Sequence, residues 1–364
     1  MLRETFARFR FPTPAALKMI SKSSFTPVNA GFSIVSALRE RKPSLVQRSL
    51  KVCLFLSLLL CGSMAAHSQP ADALAWLKKI GEAQKELNYY GTFVYAHDGQ
   101  LESMMIVHSS SAEGERERLV HLNGVAREVI RNNDLVTCIF PEEKSVLVAH
   151  RNNLSTSPFI QSESLEIFEA YYHISLGGKE RIAGVLTQRI DLEPKDVYRY
   201  GYRFWVSPEG LLLRSDLLNS DGSAIERIMF TDIHLVEKIP HELMSPKIDL
   251  TGFKWFRQEP AVTLDESVKG RWRVTVLPDG FSLKSQNLHQ EEGDRVEHML
   301  ISDGLASISI FIEKYNRDEA RMGDFRVGAL NGFGRPLGDY VVVVVGDVPL
   351  ATVKLIAESV VAND

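Results

Sequence analysis

Apolar and polar positions along this chain fall into one helical segment followed by many short alternating runs. In "ADALAWLKKIGEAQKEL", Leu74, Leu77 and Ile80 recur at helical spacing between lysines and acids, which predicts an amphipathic helix. Strand patterns follow. "YYGTFVYAH" is broken by Asp98-Gly99 and answered by "LESMMIVHSS", a strong hairpin signal. "RERLVHL", Asn123-Gly124 and "VAREVIR" repeat the arrangement, and "DLVTCIF" and "KSVLVAH" flank "PEEK". Leu165, Phe168 and Tyr172 in "SESLEIFEAYYHIS" predict one interrupting helix. Strands then resume in "KERIAGVLTQRIDLEP", "YGYRFWVS", "LLLRSDLLNS" and "SAIERIMFTDIHL". Such closely spaced turns describe a curved antiparallel sheet over about residues 70–240.

"EKIPHELMSPKIDLTGF" holds two prolines and no sustained period, so residues 241–256 read as a linker to a smaller domain at 257–364. There "WRVTVLP" and "FSLKSQNL" flank Asp279-Gly280, and "VEHMLISDGLASISIFIEKY" reads as a hairpin turning at Asp303-Gly304. Ile308, Ile310 and Ile312 face one way; Ser307, Ser309, Phe311 and Glu313 face the other, so the serines form the polar face of a half-buried strand. "DYVVVVVGDV" predicts a strand buried on both faces. In "PLATVKLIAESVV", Pro349 suits a first helical turn, and Val353, Ile356 and Val360 share a face of a closing helix. The fold class expected is α+β, with two domains in 364 residues.

The front of the chain changes the picture of where it works. Arg48 and Lys51 precede an apolar run, Val52 to Leu60, and small residues follow around Ser63 to Ala66. That order predicts a signal peptide at 48–68, too short for a bilayer-spanning helix. Leu60 is too large for the position before a lipoprotein cysteine at Cys61. Residues 1–47 are basic without a core pattern and are expected to be a non-native extension upstream of the true start. After cleavage only Cys138 remains, so burial rather than an internal disulfide must hold the exported protein together. Hydrophobic residues make up 45% and charged ones 24%, and a net charge of −4 gives no reason to expect nucleic acid.

Motifs for chemistry are missing. The chain has no G-x-S-x-G; "GGKE" lacks the rest of a phosphate loop, and Leu337 replaces the third glycine of a dinucleotide fingerprint in "GFGRPLG". No H-E-x-x-H or close histidine pair occurs; His97, His108 and His121 lie on separate strands and converge only if the register brings them together. No catalytic residue, metal or cofactor is therefore assigned. The first-domain strands are instead apolar on both faces: Tyr89, Phe93 and Tyr95 alternate with Tyr90 and Val94, and Met105 and Val107 with Met104 and Ile106. Two such faces fit either a sheet curved around an apolar cavity or a core covered on both sides.

"SDGLASISIFIE" and "YVVVVVGDVPLATVKLIAESV" resemble the C-terminal domain of the RseB/MucB family, regulators of the envelope-stress sigma factor. "YYGTFVY", "RYGYRFWV" and "LLLRSDLLNSDG" resemble its N-terminal domain. The resemblance covers about residues 72–361 in order. It implies an unclosed, LolA/LolB-like antiparallel β-barrel with helices at 70–240, and a smaller C-terminal α+β domain with an antiparallel sheet and a closing helix. It implies no enzyme activity, and a periplasmic protein, soluble after signal-peptide cleavage, that binds an anti-sigma factor of the RseA/MucA type. That binding would shield the anti-sigma factor from site-1 proteolysis until lipopolysaccharide or another lipid displaces the shield. Candidate cavity residues are Phe93, Tyr95, Met105 and Trp205; candidate partner contacts are Arg335 and Tyr340, and a homodimer is compatible. A lipid or lipoprotein carrier of the LolA/LolB type is the alternative, although such carriers lack a second domain, and a periplasmic hydrolase with an unfamiliar site ranks below it.

Overall fold

The structure is a computed structural model and describes residues 70–150, 165–257, 262–263, 270–291, 294–316, 321–327 and 329–363. The segments read as extension (1–47) and signal peptide (48–68) lie outside the described residues. Helix α1 (Pro70–Glu86) leads into a meander of six strands: β1 (Asn88–His97), β2 (Gln100–Ser111), β3 (Gly114–His121), β4 (Glu128–Asn132), β5 (Leu135–Phe140) and β6 (Ser145–His150). Helix α2 (Leu165–Tyr171) opens a second meander: β7 (Tyr172–Ile182), β8 (Val185–Pro194), β9 (Gly201–Val206), β10 (Leu212–Leu218) and β11 (Ala224–Val236). A single helical turn, α3 (His241–Met244), and β12 (Lys254–Arg257) follow.

These strands form one unclosed sheet in the order β12-β6-β5-β4-β3-β2-β1-β11-β10-β9-β8-β7. Two meanders are thus sewn together along one seam, where β1 pairs with β11. The Asp98-Gly99 hairpin forms as expected, with both residues at positive φ, as a two-residue turn requires. α1 lays Leu77 and Ile80 on Phe168, Tyr172, Ile190, Leu192, Tyr202 and Phe204; burying each large side chain stabilises by roughly 1.5–3 kcal/mol. The segment 241–256, expected to be a linker, differs from that reading. Its last part is β12, which pairs in parallel with β6 and extends the first sheet. Four residues are too few to show a period, so the prolines dominated the pattern. α3 is pinned as well, because buried Arg118 donates to Leu243 O at 3.0 Å while paired with buried Glu128 at 2.6 Å.

The second sheet runs from β13 (Val262–Thr263) and skips β14 (Trp272–Val274). It continues through β15 (Ser282–Glu291), β16 (Asp294–Ser302), β17 (Ser307–Lys314), β18 (Gly323–Val327), β19 (Leu330–Leu337) and β20 (Tyr340–Gly346), in the order β13-β15-β16-β17-β20-β19-β18. Helix α4 (Leu350–Glu358) covers one face, and β21 (Val360–Ala362) pairs with β14. β20 is buried on both faces as its valines predict: Val342 and Val344 meet Ile308, Ile310 and Ile356, while Val341, Val343 and Val345 meet Phe311 and Leu330. Three expectations need correction. Ser309 is buried rather than half-exposed, with His298 Nε2 at 2.9 Å. Pro349 is the N-cap, and Val360 belongs to β21 opposite Val274 rather than to the helix.

Candidate functional site

The apolar face of the first sheet carries one buried cluster containing Phe93, Tyr95, Met104, Ile106, Leu119, Trp205, Ile228 and Phe230. Three of the four candidate cavity residues, Phe93, Tyr95 and Trp205, therefore come together. Met105 does not join them. Register places Met104 opposite Phe93, whereas Met105 pairs with Thr92 and is only half-buried on the other face. Directly paired residues share a face, so neighbouring methionines cannot both point inward.

A polar row crosses this apolar face. Tyr89, His108, Glu117 and Arg131 are successive partners across β1 to β4, all buried. The His108 ring stacks on Tyr89 at 5.1 Å; its Nδ1 lies 3.8 Å from Glu117, which lies 3.4 Å from Arg131. Arg131 also donates to Glu115 at 2.8 Å. Burial, with the Glu117 charge adding to it, pushes the Tyr89 hydroxyl far above its ordinary range. The other two histidines do converge: His97 Nε2 is 3.1 Å and His121 Nδ1 3.7 Å from the Glu102 carboxylate. Burial and Arg127 lower the His121 pKa against the pull of Glu102. Among the described residues no group of His, Cys, Asp or Glu is arranged to hold a metal ion. Burial pushes the Cys138 thiol up to about 11, which leaves it a poor nucleophile.

The second part of the site, unforeseen in the sequence, is the junction between the two sheets. After β8 the chain forms a loop ending in Tyr198-Arg199-Tyr200. The Arg199 guanidinium is fully buried, donates to Asp303 Oδ2 at 2.9 Å and to Asp279 O at 2.5 Å, and also pairs with Asp196. It lies over Tyr171 at 4.6 Å and Phe281 at 4.8 Å. Asp303 is the turn residue of the β16–β17 hairpin; its Oδ1 accepts from Leu305 N and Ala306 N, and its Oδ2 from Tyr172 OH at 3.3 Å. Burial, reinforced by the Asp303 charge, raises the Tyr172 hydroxyl well above its ordinary range. Around this centre Thr352 donates to Tyr198 O at 2.9 Å, and Asn331 donates to the Tyr200 hydroxyl at 2.9 Å. Gly280, at φ +84°, leaves no room for a side chain: a Cβ would lie 2.4 Å from the Tyr171 ring. The spaced pair Arg199 and Asp303 carried no local signal, because their meeting depends on how the sheets pack.

Of the candidate partner contacts, Arg335 caps α4. Its Nε donates to Ala357 O at 2.7 Å and its Nη2 to Val360 O at 2.8 Å, and burial lowers its pKa against the pull of Glu358. Tyr340 is half-buried, receives a hydrogen bond from Arg271 and meets Trp272 edge-on at 5.1 Å. Both side chains are committed within the domain.

Two family models match this arrangement in order: the MucB/RseB N-terminal domain over residues 72–248 and the MucB/RseB C-terminal domain over residues 266–361. The sigma factor AlgU regulatory protein MucB of Pseudomonas aeruginosa is 31% identical over 315 residues, 83% of this chain and 96% of that one. The sigma-E factor regulatory protein RseB of Haemophilus influenzae is 26% identical over 306 residues, 84% of this chain and 96% of that one. Among solved structures, MucB in complex with the periplasmic part of MucA superposes with a TM-score of 0.61 at 27% identity, covering 80% of this chain and 100% of that one. The Pseudomonas aeruginosa MucA/MucB complex superposes at 0.62 and 26%, covering 80% and 99%. With both domains matched in sequence and in fold, the chain belongs to the MucB/RseB family of sigma-factor regulatory proteins, which is not an enzyme family.

Proposed function

We propose that this protein is a periplasmic shield: it binds the periplasmic domain of a membrane-spanning anti-sigma factor of the MucA/RseA type and keeps a site-1 protease from it. The observation that carries this reading is the superposition of both domains, over the full length of the partner-bound chain, on MucB in its complex with MucA. The described residues contain no helix long and apolar enough to cross a membrane. The lipid-responsive part is the first-domain cluster around Phe93, Tyr95 and Trp205. A lipid that favours the unbound regulator must weaken anti-sigma binding by the same factor. A tenfold weakening requires only ~1.4 kcal/mol of coupling.

The test is cleavage of an anti-sigma periplasmic segment by the site-1 protease, with and without the protein, followed by titration of lipopolysaccharide into the protected mixture. Protection that lipid relieves is the expected result. A folded protein that gives no protection would refute the shield.

A further inference from the structure

The first sheet ends on β12, a short edge strand that carries two exposed aromatics. All four residues, Lys254 to Arg257, are exposed, with Trp255 at 53% and Phe256 at 50%. Among the described residues β12 is paired on one side only, with β6. An edge strand offers unpaired N–H and C=O groups, and proteins usually blunt such edges with charge, proline or short length. β12 is short and carries Lys254 and Arg257, but its two half-exposed aromatics work against that blunting, since they add apolar area that an incoming strand would cover.

Alternation places Lys254 and Phe256 on one face and Trp255 and Arg257 on the other, so each face presents one aromatic and one cation. Neither β12 nor β6 contains an acid; Glu142 and Glu143 lie in the turn before β6, at the Lys254 end. A second copy of this chain is a poor occupant. Two antiparallel β12 strands would set Lys254 against Arg257 and gather four cations, and like charges directly opposite destabilise a strand pair.

We propose that the free edge of β12 is a strand-addition site for an extended segment of a partner protein in which acidic residues flank apolar ones. Resting on the function proposed above, that segment belongs to the periplasmic domain of the anti-sigma factor. Backbone hydrogen bonds along β12 supply affinity, the aromatics supply apolar contact on both faces, and Lys254 and Arg257 select acids.

The experiment measures binding of the cognate anti-sigma periplasmic domain by calorimetry to the wild-type protein, to Trp255→Ser/Phe256→Ser and to Lys254→Glu/Arg257→Glu. Thermal unfolding checks that each variant folds. A synthetic peptide alternating glutamate with valine, and its lysine-for-glutamate counterpart, probe the edge through the part of the tryptophan emission that is lost in Trp255→Ser/Phe256→Ser. Each double variant is expected to bind at least ~10-fold more weakly, a loss of ~1.4 kcal/mol. The charge-reversed variant also loses salt dependence, and only the glutamate peptide shifts the emission.

Unchanged affinity in both variants overturns the proposal and leaves the shield standing elsewhere on the molecule. If the wild type does not bind the anti-sigma domain, the shield reading fails while the peptide arm still decides the edge. If iodide quenches the free wild type no more than Trp255→Ser/Phe256→Ser, the chain covers its own edge, which also overturns the proposal. So does a homodimer lost in Trp255→Ser/Phe256→Ser, or binding to anionic phosphatidylglycerol vesicles through the same residues without peptide binding.

Discussion

His298 shows how a single buried side chain sets the behaviour of the second sheet. Its ring stacks on Phe311 at 4.6 Å, its Nε2 lies 2.9 Å from Ser309 Oγ, and His289 is 6.0 Å away on the adjacent strand. Burial, with a smaller push from His289, lowers its pKa to about 3. In the unfolded chain the same ring takes up a proton at about pH 6.5. The folded ring stays neutral below that point, so the stability tied to this group is present above about pH 6.5 and declines as the pH falls toward 3. Chemical denaturation should therefore give about 2 kcal/mol less stability at about pH 5 than at about pH 7 from this group alone. In His298→Asn most of that difference disappears; an unchanged pH dependence would assign it to other residues. The residue scale also marks a limit of legibility. The apolar run in "ESMMIV" is plain, yet nothing local says whether Met104 or Met105 points inward, because that choice is made by register against Phe93.

At the scale of elements, periodic segments were readable and short ones were not. α1, the valine strand and the Asp98-Gly99 hairpin each repeat their signal over several residues. β21 is three residues long and β12 four, so neither shows a period. The β7–β8 hairpin turns at Ala183-Gly184, where Ala183 itself adopts φ 46° and advertises nothing in its side chain. α4 illustrates how an element is finished by distant residues. Its Ala357 carbonyl is met by Arg335 from β19, which also reaches Val360 O in β21, and its Ile356 carbonyl by the Ser359 hydroxyl at 2.8 Å. Positive charge at a helix C-terminus is favourable as well. Arg335→Ala should cost about 1–2 kcal/mol in denaturant unfolding. Affinity for the anti-sigma domain, measured where the variant is fully folded, should not change; a large loss there would make Arg335 a partner contact after all.

For the whole molecule, the junction joins the two sheets through buried side chains. Removing one member of a buried ion pair leaves the other charge unpaired, so Arg199→Met should destabilise by about 3–5 kcal/mol. Calorimetry should show one unfolding transition for the wild type and two for this variant, and a single unshifted transition would mean that other contacts carry the coupling. The antiparallel first sheet was legible in its repeated turns and the domain number in the chain length, whereas the openness of that sheet came only from the family resemblance. The junction was not legible, since Tyr171, Arg199, Phe281 and Asp303 meet only once both sheets exist. The seam between β1 and β11 sets the timetable of assembly. β1 is the first strand of the sheet and its partner β11 the last of the second meander, so the pairing that joins the halves is the least local in the sheet. At that seam a Cβ on Gly91 would lie 2.3 Å from Asp232 O, so the strands can approach only where that side chain is missing. Each meander can zip from its own hairpins, and the halves must then find each other, which makes the joining step the slow one and leaves β1 with one open side throughout the wait.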